Sequence, residues 1–210
     1  MPRVTKEREE RRNELIDTAE ELFKTIGYNK TAVSDIVKKI SVAQGTFYYY
    51  FKSKEDIFLA VFNRYILDSV SEINEILNNN INSIEKFKQV LAVQLKTIKS
   101  QFSLSSQLQD EENSGIHQKA IIDTIKVYSP IYSILIKQGI NEGTFKTEYP
   151  DEVAQFFMVI INFLFDLGIF KLTLDEYIQK VKALCNIMDK ILELPQGSFK
   201  FPSIISKPLD

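Results

Sequence analysis

Apolar residues recur at helical spacing in the first long segment of the chain. They are Leu15, Ile16, Ala19, Leu22, Phe23 and Ile26. This spacing places them on one face of a helix, so the pattern predicts a first helix from about residue 6 to residue 26. Gly27 follows directly, at a position where the residue after a helix favours a positive φ.

Two short helices and one long helix are predicted next. Thr31 is expected to cap a helix over residues 32–40, and a second short helix is expected from Gln44 to Phe51. Two short helices joined by so tight a turn form a helix-turn-helix. Ser53, with Asp56 three residues later, predicts the start of a helix of roughly 25 residues.

The remaining apolar pattern predicts a helical body. Helices are expected near residues 83–100, 103–112, 117–141, 151–170 and 174–194. Asn82 and Thr173 each precede a Glu by three residues, as in a capping box, and Pro130 is expected to kink or split its helix. Seven Gly and six Pro are too few for the turns of a β-sandwich or barrel. The predicted fold class is therefore all-α.

Composition excludes several functional classes. The chain has one cysteine, Cys185, and one histidine, His117, so one chain cannot build a disulfide framework or a cysteine- or histidine-rich metal site. A catalytic triad would have to use that single imidazole, and no enzymatic motif is found. We therefore expect no enzyme activity, no metal and no cofactor. The longest uncharged apolar run is shorter than the about 20 residues that span a bilayer, and no signal segment opens the chain. The expectation is a cytoplasmic protein that does not bind membranes.

The distribution of charge is compatible with DNA binding at the N-terminal end. Residues 1–55 carry 11 Lys and Arg against 9 Asp and Glu, whereas the rest of the chain carries 15 against 19. A mildly basic end on an acidic body can approach a phosphate backbone, although so small an asymmetry is weak support by itself.

Residues 27–55 read GYNKTAVSDIVKKISVAQGTFYYYFKSKE. This segment resembles the DNA-binding head of the TetR family of bacterial transcription regulators. The residues in register with the family pattern are Gly27, Tyr28, Thr31, Val33, Ile36, Val42, Gly45, Thr46, Phe47, Tyr48, Tyr50, Phe51, Ser53, Lys54 and Glu55. The resemblance implies a helix-turn-helix DNA-binding domain at residues 1–53 and a helical effector-binding and dimerisation domain at residues 54–210.

The helix-turn-helix residues suit a helix that enters the major groove. Small or polar residues at its start let the backbone approach the bases, and a glutamine can pair with an adenine edge. Phenol hydroxyls and lysines suit phosphate contacts, whereas Phe47 and Phe51 should pack inward. The predicted DNA-binding residues are Thr31, Gln44, Gly45, Thr46, Tyr48, Tyr49, Lys52 and Lys54.

Two positions in the predicted turn depart from the family pattern. Ser41 stands where the family usually has glycine, so a positive φ there would cost about 1 kcal/mol. Ala43 stands at a cap position that is often serine, and its methyl group cannot cap a helix.

The last two predicted helices indicate a homodimer. The segment 153–170 is apolar almost all round, and one helix of a small domain rarely buries every face within its own chain. The resemblance also implies dimerisation through the last two long helices. The predicted interface residues are Phe157, Ile161, Leu164, Phe165, Tyr177, Val181, Leu184 and Met188. Such a two-fold dimer would read a palindromic operator in double-stranded DNA.

The middle of the chain is the predicted site for a small-molecule effector of unknown identity. Long apolar residues with scattered polar groups would favour an apolar or amphipathic molecule, and the candidate residues are Gln94, His117, Tyr128 and Tyr132. An ordinary core without a pocket is the alternative. The resulting hypothesis is a repressor that its effector releases from DNA, with the long helix from Ser53 transmitting the change. The alternative function is a helical interaction or adaptor protein whose head no longer reads DNA.

Overall fold

The fold is all-α, as the sequence predicts. The computed structural model describes residues 2–108, 111–166 and 169–200, and these ranges contain helices and turns but no strand. The helices are α1 (Pro2–Thr25), α2 (Val33–Lys39), α3 (Gln44–Tyr50), α4 (Lys54–Asn78), α5 (Ser83–Ser105), α6 (Ser114–Asn141), α7 (Pro150–Val159) and α8 (Leu174–Ile191).

The predicted caps and the internal proline can be compared with these helices. The Asn82 side chain accepts a hydrogen bond from the Glu85 N–H at 2.9 Å. Thr173 and Glu176 form a capping box, in which the Thr173 hydroxyl accepts from the Glu176 N–H and the Glu176 carboxylate accepts from the Thr173 N–H. Both caps are therefore confirmed. Pro130 lies inside α6 and does not split it: the helix continues on both sides of the proline.

Two predicted helices are wrong in extent. The helix expected at residues 103–112 is absent, since α5 continues to Ser105 and is followed by two 3₁₀ turns, Ser106–Leu108 and Glu111–Asn113. Leu108 is the one apolar residue between positions 105 and 113, so this segment has no apolar face to support a helix. The helix expected at residues 151–170 gives way after Val159 to a π-helical turn, Ile160–Leu164.

The chain forms two compact units, each with its own core. The head unit comprises Met1–Tyr65 with Gln101–Ala120, and the body unit comprises Ile66–Ser100 with Ile121–Asp210. The head unit buries residues of α1, α2, α3 and the first part of α4, among them Leu15, Phe23, Ile36, Phe47, Phe51 and Phe58. The predicted domain boundary after residue 53 stays a prediction.

Four aromatic rings form the centre of the body unit. Phe87 of α5 lies with its ring centroid 4.9 Å from that of Tyr132 of α6, and Tyr132 lies 5.0 Å from Phe157 of α7. Phe199 adds a fourth ring, 5.0 Å from Phe87. Tilted and edge-on pairs at these distances stabilise a core beyond the burial of their surface. None of the described helices is both long and apolar enough to cross a membrane.

Candidate nucleic-acid interface

The turn between α2 and α3 closes by the hydrogen bonds of a Schellman motif. The Val42 N–H donates to the Val37 carbonyl at 3.0 Å, and the Ser41 N–H donates to the Lys38 carbonyl at 3.2 Å. Ser41 has a φ of +55°. Ser41 therefore adopts the left-handed conformation although it is not a glycine, which costs about 1 kcal/mol.

The N-cap residues of the two short helices make no side-chain cap, although the Asp35 carboxylate accepts a hydrogen bond from the Ala32 N–H at the start of α2 at 2.8 Å. The residue before α2 is Ala32, so the prediction that Thr31 caps this helix is wrong. The Thr31 hydroxyl instead donates to the Gly27 carbonyl at 2.7 Å, and Thr31 is only 1% exposed. Ala43 precedes α3 and, as expected for an alanine, makes no cap. Thr31 stays a predicted DNA contact, but its burial leads us to omit it from the surface defined below.

The two faces of α3 differ in character. Phe47 and Phe51 are buried against the head core, which confirms their predicted inward orientation. Tyr48 and Tyr49 are 53% and 62% exposed on the outer side. Five exposed or partly exposed residues of this helix and one lysine two residues beyond its end are here called the α3 surface: Gln44, Gly45, Thr46, Tyr48, Tyr49 and Lys52.

Gly45 has no structural reason within the chain to be glycine. A Cβ built on it meets no atom within 4 Å, and its φ is not in the left-handed region. Glycine in a helix costs roughly 0.5–1 kcal/mol relative to alanine. The fold itself therefore does not require a glycine at this position.

The Lys54 side chain is partly buried and contacts other residues of the head. Its Nζ donates to the Tyr28 carbonyl at 2.9 Å and lies 4.3 Å from the centroid of the Tyr28 ring. Burial lowers the pKa of Lys54, against an opposing effect of the Glu55 carboxylate. The Ser53 hydroxyl accepts from the Asp56 N–H at 3.2 Å, so Ser53 caps α4 as predicted. Lys54 thus ties the start of α4 to the turn after α1.

Arginines of α1 extend this surface and were not singled out from the sequence. The Arg8 guanidinium lies 4.9 Å from the centroid of the Tyr49 ring, and Arg12 lies 5.2 Å from that of Phe51. An open groove here is lined by Arg8, Glu10, Arg11, Glu14, Thr46, Tyr49 and Tyr50. In the sequence these arginines are mixed with glutamates, as in a helix face exposed to solvent. Only the packing of α3 beside α1 shows that they border the α3 surface.

The structure groups three of the four predicted effector residues. The Tyr132 hydroxyl donates to the Gln94 Oε1 at 2.7 Å, and the Gln94 Nε2 lies 3.8 Å from the Met158 Sδ. Tyr128 is buried in the same body unit, and burial raises the pKa of both tyrosines. His117 belongs to the head unit.

The predicted dimer residues divide between core and surface. Phe157, Ile161, Leu184 and Met188 are buried in the core of the body unit rather than on its surface. Phe165 and Tyr177 pack together with centroids 5.4 Å apart, and Val181 is half-buried. Of the eight, Leu164 is the exposed residue. Exposed apolar residues of α7, the π-helical turn and α8 that the sequence analysis did not select include Phe156, Val159, Phe163, Leu174 and Ile187.

A head of this geometry, with a short outward-facing helix after a tight turn, defines a helix-turn-helix DNA-binding protein. Residues 15–61 match the model of the bacterial regulatory proteins of the tetR family, and residues 96–187 match a tetracyclin repressor-like C-terminal domain. The chain belongs to the TetR family. It is accordingly a ligand-responsive DNA-binding transcriptional regulator and not an enzyme. Members of this family bind DNA operators and small-molecule effectors, and the family is dimeric.

Individual relatives agree with this assignment. The chain is 28% identical over 135 residues to the fatty acid metabolism regulator protein of Bacillus subtilis, covering 63% of this chain and 70% of that protein. It is 22% identical over 147 residues to the transcriptional repressor KstR2 of Rhodococcus jostii, covering 69% and 72%. Its fold is similar to that of a transcriptional regulator from Cytophaga hutchinsonii, with a TM-score of 0.61, 21% identity and coverage of 85% and 95%.

Proposed function

We propose that the chain is a homodimeric repressor that binds a palindromic operator in the bacterial cytoplasm and is released by an apolar or amphipathic effector. The observation that carries the proposal is Gly45, an exposed helical glycine that the fold does not require. A bare backbone at this point allows α3 to approach base edges in the major groove. The repressor role is supported by the similarity to KstR2.

Each residue of the α3 surface has a role in this proposal. Gln44 and Thr46 contact base edges, since a glutamine amide can pair with adenine and a threonine offers a hydroxyl and a methyl group. Tyr48, Tyr49 and Lys52 contact phosphates and hold the helix in register. Lys54, held by Tyr28, presents its charge beside them.

The dimer is proposed to form through the exposed apolar residues of α7, the π-helical turn and α8. Phe156, Val159, Phe163 and Leu164 follow one another along a single stretch of chain, and each is at least 39% exposed. A contiguous apolar surface of this kind in a monomer usually marks an interface. A two-fold dimer supplies the second α3, about 34 Å from the first, which matches successive major grooves.

The effector is proposed to bind in the body unit near Gln94 and Tyr132. The Gln94 amide nitrogen is buried and lies 3.8 Å from the Met158 thioether sulfur, which is a weak acceptor. A polar group of a ligand would satisfy this nitrogen better. The surrounding rings suit an acyl chain or another apolar body. Because the Bacillus subtilis relative is a fatty acid metabolism regulator, fatty acids are the first probes.

Selection of bound duplexes from a random pool tests the proposal. The dimer is expected to enrich a palindrome whose half-sites are one helical turn apart, with an affinity that falls as salt rises. Adding palmitate in parallel tests release. Failure to enrich any duplex, with or without palmitate, would contradict DNA binding and favour the adaptor alternative.

A further inference from the structure

A residue from outside the helix-turn-helix holds the turn between α1 and α2. Gln107 lies in the 3₁₀ turn after α5, and its Oε1 accepts a hydrogen bond from the Tyr28 N–H at 2.7 Å. Its Nε2 donates to the Phe23 carbonyl at 3.0 Å and to the Ser103 carbonyl at 2.7 Å. One amide therefore connects the last turn of α1, the residue after Gly27 and the end of α5.

Neighbouring amides support this connection. Asn113 is buried, and its Nδ2 donates to the Asn29 side chain at 3.0 Å and to the Gln107 carbonyl at 3.3 Å. Gln101 is also buried, and its Nε2 donates to the Phe62 carbonyl of α4 at 3.0 Å. The segment that carries Gln107 is thus anchored to the head at three points, all within the head unit.

The hydrogen bonds continue from Gln107 towards the proposed DNA surface. Tyr28 accepts the Lys54 ammonium on its carbonyl and also places its ring 4.3 Å from that ammonium. Tyr28 therefore donates its N–H to Gln107 and contacts Lys54 through its carbonyl and its ring. If the Gln107 bond is removed, the Tyr28 N–H loses its side-chain acceptor and the support for Lys54 loosens.

We propose that Gln107 is a positioning residue for DNA binding, which acts through Tyr28 to hold Lys54 and the α1–α2 turn in the DNA-binding arrangement. This proposal rests on the proposed function, because it requires that the head binds DNA. Gln107 itself lies within residues 96–187, which match the C-terminal domain of the family. No local sequence pattern reveals it, since the partners are 79 residues apart.

The test compares Gln107→Met with Gln118→Met in the full chain, using a duplex that the wild-type chain has selected. Methionine keeps the length of glutamine but has no strong donor or acceptor. Gln118 is exposed on α6 and serves as the matched control. Amide exchange of Tyr28, the operator Kd, its salt dependence and the thermal midpoint are measured for each variant.

Gln107→Met is expected to speed exchange of the Tyr28 amide and to weaken operator binding about tenfold. It is also expected to reduce the slope of log K against log salt by about 1, because one phosphate contact is lost. Lys54→Met should then add little to Gln107→Met, whereas it weakens the wild type. Gln118→Met should leave all of these values unchanged.

Two results would overturn the proposal while leaving the proposed function intact. One is an unchanged rate of Tyr28 exchange in Gln107→Met. The other is a lower thermal midpoint with wild-type Kd and salt slope, which would show a merely structural role. Failure of the wild-type chain to select any duplex would instead contradict the proposed function and, with it, any role of Gln107 in DNA binding.

Discussion

Replacing Gly45 with alanine separates the needs of the fold from those of DNA binding. The added Cβ meets no atom within 4 Å, and the residue is the second of α3, so no strain is introduced. Alanine in a helix is favoured over glycine by roughly 0.5–1 kcal/mol. The variant should therefore be more stable than the wild type, with a thermal midpoint higher by about 1–4 °C for a chain of this size.

The same methyl group should impair operator binding. It would stand between the α3 backbone and the bases, and the loss of one well-fitted contact in a protein–DNA interface costs about 1–3 kcal/mol. We therefore expect the operator Kd of Gly45→Ala to rise about tenfold or more. Fluorescence anisotropy with a selected duplex measures the Kd, and thermal unfolding followed by circular dichroism measures stability.

Gly115→Ala is the matched control. Gly115 is likewise the second residue of its helix, α6, is exposed, and has no atom within 4 Å of a built Cβ. It should gain a similar stability and bind the operator as the wild type does. Operator binding by Gly45→Ala at the wild-type affinity would refute the argument that close approach to DNA requires this glycine. A loss of stability would refute the conclusion that the fold has room for a Cβ at this position.

Three further outcomes follow from the structure. Ser41→Gly should raise the free energy of unfolding in urea by up to about 1 kcal/mol, because glycine removes the cost of the positive φ, and no gain would contradict this. Burial opposes ionisation of Glu20, but hydrogen bonds from Lys24, Tyr65 and Arg64 outweigh it and lower its pKa below 4.5. A lowered carboxyl pKa stabilises the fold above pH 4.5, and this stabilisation is lost as the pH falls through the folded-state pKa. Glu20→Gln should therefore lower the free energy of unfolding in urea at neutral pH, and this loss should shrink towards acid pH. A loss that does not change with pH would contradict the role of Glu20. Phe156→Glu should shift sedimentation towards monomer, because it places a charge in the exposed apolar surface. Leu67→Glu should not, although Leu67 on α4 is similarly exposed.

Local features of the head could be predicted from the sequence. The start of α3 at Gln44, the cap at Ser53 and the inward orientation of Phe47 all depend on residues within a few positions of one another. The cap predicted at Thr31 was wrong by one residue, because α2 begins at Val33 and its N-cap is Ala32. The Thr31 hydroxyl bonds to the Gly27 carbonyl within the preceding turn, and the geometry of such a turn cannot be predicted from composition.

The surface of the body could not be predicted in the same way. A helix that is apolar all round carries no signal for which face is buried, so Phe157 was selected for the interface although Phe156 is the exposed residue. The π-helical turn after Val159 also changes the phase of the residues that follow it. The Gln107–Tyr28 hydrogen bond joins distant parts of the chain, and only the folded structure brings them together.

The most direct test of the central claim compares two pairs of substitutions in binding to a selected duplex. Tyr49→Ala with Lys52→Ala alters the α3 surface, and Tyr149→Ala with Lys146→Ala alters a tyrosine of equal 62% exposure and an exposed lysine in the body unit. We expect the first pair to weaken binding at least about tenfold and to reduce the salt slope by about 1, and the second pair to bind as the wild type does. Equal affinities and salt slopes for the two pairs would contradict the claim that α3 presents the DNA-binding surface.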